Sequence, residues 1–349
     1  MRADFGNRWL MMAGLVLASL VLSLPVAAED LWSEQAITLE TDSGQLQGSL
    51  MLPAGGDKVA KAAKWPVVLI VAGSGPTDRN GNSLLLHGPN NSLKMLAEGL
   101  AQAGWASVRY DKRGVGSSKA AFTREENYRI ENYVQDVADW VKKLRADPRF
   151  SSVVLLGHSE GSLLSILAAE QVRVDALVSV AGAGQNMADI FRFQLRGKLL
   201  PVMVQKNEQI LRSLQAGETV SDLPSPLDKI YRPSVQPYLI SMFHYTPSQE
   251  LGKLTIPVLI VQGDNDIQVE IRQADELKRG QPAAQLLIVR GMNHVLKIVG
   301  TDRASQLSSY SEPDLPLATP LLTGIDAFLR SSLPATTLTQ PKPVAGTSP

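Results

Sequence analysis

The feature that most constrains this chain is a run of four apolar residues, Val153-Val154-Leu155-Leu156, leading into Gly157-His158-Ser159-Glu160-Gly161 and then Ser162-Leu163-Leu164-Ser165-Ile166-Leu167-Ala168. The apolar run has the length and composition of a buried parallel strand, and the segment after Gly161 that of a buried helix. Strand, sharp turn and helix in this order are the setting in which Gly-x-Ser-x-Gly forms a nucleophile elbow. So tight a turn forces the serine into a strained backbone conformation, and glycine at 157 and 161 removes side chains that would clash. The Ser159 hydroxyl is then presented at the carboxyl edge of a sheet. The Glu160 N–H lies at a helix N-terminus, where it can donate to an oxyanion. A bare Gly-x-Ser-x-Gly arises by chance in about one chain in ten of this size. The reading therefore rests on whether the remaining sequence supplies a histidine, an acid and a second donor in the right order.

The rest of the chain repeats the strand–helix alternation. Ala36 to Glu40 and Leu46 to Leu52 alternate around Asp42-Ser43-Gly44 and predict a hairpin. Pro66 to Ala72 reads as a buried strand, and Trp105 to Tyr110, Ala176 to Ala181, Pro257 to Gln262 and Ala284 to Val289 as further strands. Asn91 to Ala103, Tyr128 to Leu144, Val269 to Arg279 and Pro320 to Leu329 read as helices. Strands alternating with helices predict an α/β fold, a mostly parallel sheet covered on both faces, with the site beyond the carboxyl ends of the strands. Between residues 185 and 253 the strand signals stop, and apolar spacing predicts two or three helices inserted as a cap. The expected division is thus a core of residues 29–184 and 254–332, a cap of 185–253 and a disordered Pro- and Thr-rich tail of 333–349.

Composition narrows the function classes. Lys plus Arg and Asp plus Glu both total 34, so the net charge is zero and nothing points to a nucleic-acid partner. The chain has no cysteine, which removes disulfides, thiol catalysis, cysteine metal sites and a lipid-anchored terminus. Arg2 and Arg8 precede an apolar run from Trp9 to Leu24, followed by Pro25-Val26-Ala27-Ala28. This predicts a signal peptide over residues 1–28, cleaved after Ala28, and export to a periplasm or beyond the cell without a stable membrane anchor. An uncleaved anchor is the alternative.

A serine hydroxyl needs a base to act as a nucleophile at neutral pH. The chain has four histidines. His158 is fixed inside the elbow and is a poor candidate, His87 lies in a loop, and His244 lies in the cap. His294 follows the last strand in Gly291-Met292-Asn293-His294, on the loop returning toward the elbow. The acid that orients it is expected in Gln262-Gly263-Asp264-Asn265-Asp266. Asp266 is preferred, with Asp264 as a brace for the turn. The second oxyanion donor is expected in Gly73-Ser74-Gly75, at the Ser74 N–H with Gly75 the alternate. Gly73-Ser74-Gly75 is no dinucleotide loop, because the third glycine would fall at Asp78. Asp78 to Asn82 is no calcium loop, because its twelfth position is Pro89. Arg113-Gly114-Val115-Gly116 lacks the continuation of a phosphate loop and reads as a tight turn. The Glu160 carboxylate beside an oxyanion site opposes the developing charge, so a cation, Arg79 or Arg113, is expected to pair with it.

Taken together, Val71-Ala72-Gly73-Ser74-Gly75-Pro76, Tyr110-Asp111-Lys112-Arg113-Gly114-Val115-Gly116-Ser117-Ser118, Gly157-His158-Ser159-Glu160-Gly161, Asp266 and Asn293-His294 resemble the α/β-hydrolase family. Within it, the nearest likeness is to bacterial esterases of the serine aminopeptidase-like branch. One departure is Ala72, where many relatives carry histidine; backbone donors need no side chain there. The resemblance implies acyl transfer from a small-molecule ester through an acyl-enzyme on Ser159, His294 and Asp266, with no metal or organic cofactor. The alternatives are an aminopeptidase or amidase on the same residues, whose cap carboxylate would be Glu208, Glu218 or Asp222, and a non-catalytic binding protein. The cap aromatics Phe191, Phe193, Tyr231, Tyr238, Phe243 and Tyr245 either line an acyl pocket or pack the cap on the core.

Overall fold

The computed structural model describes residues 32–54 and 64–334. The expected signal peptide lies outside them, as do residues 55–63 after the hairpin and residues 335–349 of the tail. The hairpin is β1 (Trp32–Thr41) and β2 (Gly44–Pro53). Both strands outrun their alternating segments because main-chain pairing continues from Thr41 opposite Gly44 to Trp32 opposite Pro53. There follow β3 (Trp65–Val71), α1 (Ser92–Gln102), β4 (Ala106–Tyr110), α2 (Ile130–Ala146), β5 (Phe150–His158), α3 (Glu160–Gln171) and β6 (Ala176–Val180). Next come α4 (Met187–Arg196), α5 (Pro201–Gln215), α6 (Leu227–Ile230), α7 (Gln236–Met242) and α8 (Pro247–Gly252). The series closes with β7 (Val258–Gly263), α9 (Ile271–Gly280), β8 (Gln285–Val289), α10 (Arg303–Ser308) and α11 (Thr319–Ser332).

Eight strands form one sheet in the order β1-β2-β4-β3-β5-β6-β7-β8. β2 runs antiparallel to both neighbours, and every other pairing is parallel. Successive side chains of a strand leave on opposite faces. Val67, Leu69, Val71, Val153 and Leu155 face α2 and α3. Val68, Ile70, Val154, Leu156, Val178 and Val180 face α1 and α11. Both faces are dry, which is why these strands read as continuous apolar runs instead of alternating ones. The strand order reverses at β3, flanked by β4 on one side and β5 on the other. Such a reversal opens a crevice at the carboxyl ends, so the loops after β3 and β5 come to lie side by side.

Between β6 and β7 there are five helices where apolar spacing predicts two or three. Their short members, α6, α7 and α8, have four, seven and six residues, too few for a period of 3.6 to register. This segment packs on the core through Ile210, Leu211, Leu214, Leu227, Tyr231 and Met242. It is fastened to α2 by Ile130 N–H donating to Ser241 Oγ at 2.9 Å, and its own two ends are joined by Asn186 Nδ2 donating to Phe243 O at 2.7 Å. α3 is buried over Gly161 to Ala168 because the sheet covers one side and α2 and α8 cover others.

The elbow glycines are required by close approach. A Cβ on Gly161 would lie 2.2 Å from Val71 O, and one on Gly157 2.2 Å from Gly161 O. Neither neighbour is a flexible side-chain end. Gly161→Ala is therefore expected to lower stability by about 3 kcal/mol, read as a lower midpoint in urea unfolding. An unchanged midpoint would show that the strand–helix contact is loose.

Candidate active site

The turn from β5 into α3 puts Ser159 at φ 57 and ψ −122, a conformation that L residues rarely adopt. Two backbone bonds hold it there. Ser159 N–H donates to Val180 O at 2.9 Å, and Ser162 N–H donates to Ser159 O at 3.0 Å. The side chain is half-buried, and among the described residues its hydroxyl makes no hydrogen bond to protein. The loop after β3 passes directly beside it: a Cβ on Gly73 would stand 3.1 Å from Ser159 Cβ. Ser74 is exposed, and among the described residues nothing accepts from its N–H. Glu160 is the first residue of α3, so its N–H has no partner within the helix.

His294 and Asp266 meet although 28 residues separate them: His294 Nδ1 lies 2.8 Å from Asp266 Oδ2, and both side chains are buried. The other carboxylate oxygen accepts the N–H groups of Gln268 at 2.7 Å and Val269 at 2.9 Å. Burial would raise the Asp266 carboxyl, but the His294 ring and these two N–H groups outweigh it and hold the group below the usual carboxylate range. An ionised Asp266 accepts from Nδ1–H, which leaves Nε2 of a neutral His294 as a base. Asp264 points elsewhere; it is exposed and accepts the Gly291 N–H at 2.6 Å, bracing the turn.

His158 has a part that the sequence reading did not assign to it. Its Nε2 lies 2.9 Å from the backbone oxygen of His294, and the two rings sit with centroids 4.9 Å apart. Burial, then the neighbouring His294, lowers its pKa to about 4. His158 is therefore neutral near pH 7 and donates Nε2–H to that carbonyl, fastening the His294 loop to the elbow. Its place next to the serine is the one sequence signal of this part, although the same place keeps its ring from serving as the base. A folded-state pKa of about 4 against about 6.5 when unfolded means His158 contributes stability above pH 6.5 that is lost as pH falls toward 4. The whole effect is about 3 kcal/mol. Unfolding midpoints measured between pH 7 and pH 4 should fall more steeply for the wild type than for His158→Gln. Parallel slopes would contradict this. His87 and His244 are both exposed.

Glu160 pairs with neither arginine expected of it. Lys112 Nζ stands 3.8 Å from Glu160 Oε1, with the two side chains 4% and 12% exposed. Arg79 instead binds Asp111 at 2.8 Å, and Arg113 binds Asp136 on α2 at 2.5 Å. The chain after β4 turns so that Lys112 faces the elbow while its neighbours face away from it. The tight turn expected over Arg113 to Gly116 is present and wraps the Asp111 carboxylate: a Cβ on Gly116 would lie 2.4 Å from Asp111 Oδ2. Asp78 Oδ1 accepts the N–H groups of Asn80 and Asn82 at 2.8 and 2.9 Å, so that loop is closed on itself.

The aromatic residues divide. Phe191 packs edge-on against Tyr231 and Phe243, with centroids 6.2 and 6.1 Å away, and Tyr231 Oη donates to Asn207 at 2.7 Å. Phe193 is exposed beneath the Arg272 guanidinium, and Tyr245 Oη donates to Glu131 at 2.9 Å. Tyr238 packs edge-on against Tyr133 at 5.6 Å and faces the Glu160 carboxylate; burial, then that charge, pushes its phenol well up. Among the described residues, no group of three or more His, Asp or Glu is placed to hold a metal ion.

Comparison with known proteins bears on this geometry. The profile of the family described as serine aminopeptidase, S33, matches residues 80–297. Esterase EstD of Thermotoga maritima is 27% identical over 264 residues, which are 72% of this chain and 58% of the relative. The chain thus spans a little over half the length of that curated relative. Among solved structures, Est1E of Butyrivibrio proteoclasticus with bound ferulic acid aligns with a TM-score of 0.56 at 19% identity, covering 85% of this chain and 99% of Est1E. Acylaminoacyl peptidase of Pyrococcus horikoshii aligns with a TM-score of 0.54 at 15% identity, covering 87% of this chain and 42% of the peptidase. At these identities the structural likeness establishes the fold.

Proposed function

The chain belongs to the serine aminopeptidase S33 family of α/β-hydrolases, and from that premise we propose that it is a serine hydrolase cleaving carboxylic esters of short to medium acyl groups. The observation that carries the reading is the 2.8 Å contact of His294 Nδ1 with Asp266 Oδ2, on a loop tied by His158 to the strained serine turn. In the proposed reaction Ser159 Oγ attacks the ester carbonyl while His294 Nε2 takes its proton. The N–H groups of Glu160 and Ser74 receive the oxyanion, and His294 returns the proton to the leaving alcohol. Water then releases the acid by the same route, with Asp266 orienting the imidazole and stabilising it when charged. The name of the matched relative, an esterase, supports the ester reading.

A peptidase that reads a free amino group would need an available carboxylate near the site. Glu208 is held by Arg192 and Arg212 at 2.7 and 2.8 Å, and Asp222 by Lys206 at 2.7 Å, so these two are occupied within their own segment. The test is a panel of p-nitrophenyl esters from acetate to dodecanoate beside aminoacyl-arylamides. Turnover is expected on the shorter esters. Turnover on the arylamides alone would replace the ester reading with the peptidase one, and turnover on neither would remove both.

A further inference from the structure

Among the described residues Lys112 is the one buried lysine against the elbow, and its surroundings are specific. Its Nζ donates to the backbone oxygen of Gly73 and stands 3.8 Å from Glu160 Oε1. Gly73 C=O and Ser74 N–H belong to one planar peptide unit, whose two polar ends point in opposite directions. A donor fixed on the oxygen therefore fixes the direction of the Ser74 N–H. The second partner, Glu160, carries the other N–H at the mouth of the site. One ammonium thus touches both segments that flank the Ser159 hydroxyl. The flanks of Lys112 are themselves immobilised. Asp111 accepts from Arg79 N–H at 2.8 Å, Arg79 NH2 at 2.8 Å and Ser117 N–H at 2.8 Å. Arg113 grips Asp136 on α2 through two bonds of 2.6 and 2.5 Å. Two anchors on either side leave the lysine little freedom to follow a moving loop.

Burying a charge is unfavourable unless it is paired and hydrogen-bonded. Burial lowers the Lys112 pKa, and the Glu160 carboxylate opposes that. A methionine or leucine of similar volume would fill the same space without this penalty, so the retained charge needs an account beyond packing.

We propose that Lys112 is a positioning residue of the oxyanion site, pinning the Gly73–Ser74 peptide by its oxygen and tying it through Glu160 to the first turn of α3. The inference rests on the serine-hydrolase reading and deepens it. The pin acts in three ways. It holds the Ser74 N–H where the oxyanion forms, so that no reorganisation is needed when charge develops. A cation on the carbonyl polarises the peptide and strengthens its N–H as a donor. The Glu160 carboxylate, which alone would oppose an oxyanion, is neutralised at the place where it is least wanted.

The experiment compares wild type, Lys112→Met and the double variant Lys112→Met/Glu160→Gln, which buries no unpaired charge and so keeps a foldable reference. p-Nitrophenyl acetate turnover is measured together with the affinity of a short-chain trifluoromethyl ketone, whose serine adduct carries an oxyanion. Lys112→Met is expected to lower kcat about 100-fold with KM within about threefold, and to weaken the ketone by a factor similar to that on kcat. The double variant should remain as slow as the single one, because the pin is still missing. Wild-type kcat in Lys112→Met would overturn the inference. So would recovery in the double variant, which would reduce Lys112 to a counter-ion for Glu160. Equal losses in kcat and thermal stability with unchanged ketone affinity would do the same. No ester turnover by the wild type itself would overturn the reaction reading, and the inference with it.

Discussion

Ser159→Ala is expected to lower kcat/KM on the best p-nitrophenyl ester by at least about 10⁴-fold. In the proposed reaction this hydroxyl is the atom that forms the bond to the acyl group. Some residual turnover should persist, since the N–H groups of Glu160 and Ser74 and the binding surface are untouched. Loss of labelling by a fluorophosphonate should accompany the loss of turnover. A variant that keeps more than a few per cent of activity would place the nucleophile elsewhere. Ser159→Gly supplies a control that separates chemistry from folding. Serine pays for φ 57 with strain, of order 1–3 kcal/mol at such positions, and glycine does not. The inactive glycine variant is therefore expected to unfold at a higher urea concentration than either Ser159→Ala or the wild type.

The second large effect is expected at Asp266. Asp266→Asn should lower kcat about 10⁴-fold near pH 7 and leave KM nearly unchanged. An amide at this place can donate to Nδ1, which puts the imidazole proton on Nε2, where it cannot accept from the serine. Asp264→Asn should have a small effect on kcat, since the Asp264 carboxylate accepts the Gly291 N–H and, among the described residues, is not bonded to His294. Equal losses in the two variants would contradict the assignment of the acid. A stability measurement carries a second sign. The folded Asp266 carboxyl lies below its ordinary value of about 3.9. Its contribution is fully present above pH 3.9 and is lost as pH falls through the lower folded value. The stability difference between wild type and Asp266→Asn should therefore narrow as the solution is acidified below about pH 4.

The fold could be read largely because its central strands are wet on neither face. Val67 to Val71 and Val153 to Leu156 appear as unbroken apolar runs in the sequence and are buried residue by residue. α1 and α2 are long enough for their apolar spacing to register, and Asn91 to Ala103 differs from Ser92–Gln102 only at its ends. The short helices after β6 and α10 carry too few turns for any period. The loop ends that form the candidate site were legible for a different reason. A parallel sheet delivers every carboxyl-end loop to one edge, so Ser159, Asp266 and His294 could be named from the strands that precede them. Pairings made by side chains across that edge were not legible. Lys112 and Arg113 are adjacent, and which of them turns toward Glu160 depends on the path of a loop shaped by positive φ at Gly114 and Gly116. The link from His158 to His294 spans 136 residues and is made to a backbone carbonyl, which no side-chain pattern marks.

That link has a consequence for the order of events during folding. β5 lies in the middle of the sheet, while the loop bearing His294 follows β8, the edge strand opposite the hairpin. Contacts between residues so distant in sequence form late, because a long loop must close before they return any free energy. The serine turn can be complete while His294 and Asp266 are still unattached. On the proposed reaction, a nascent or partly folded chain would hold the nucleophile without the means to activate it, and the acquisition of turnover would mark the docking of the final strand. Ester hydrolysis followed during refolding would then serve as a clock for the last long-range step, lagging behind the signal of Trp140, which packs against Tyr110 on the other face of the sheet.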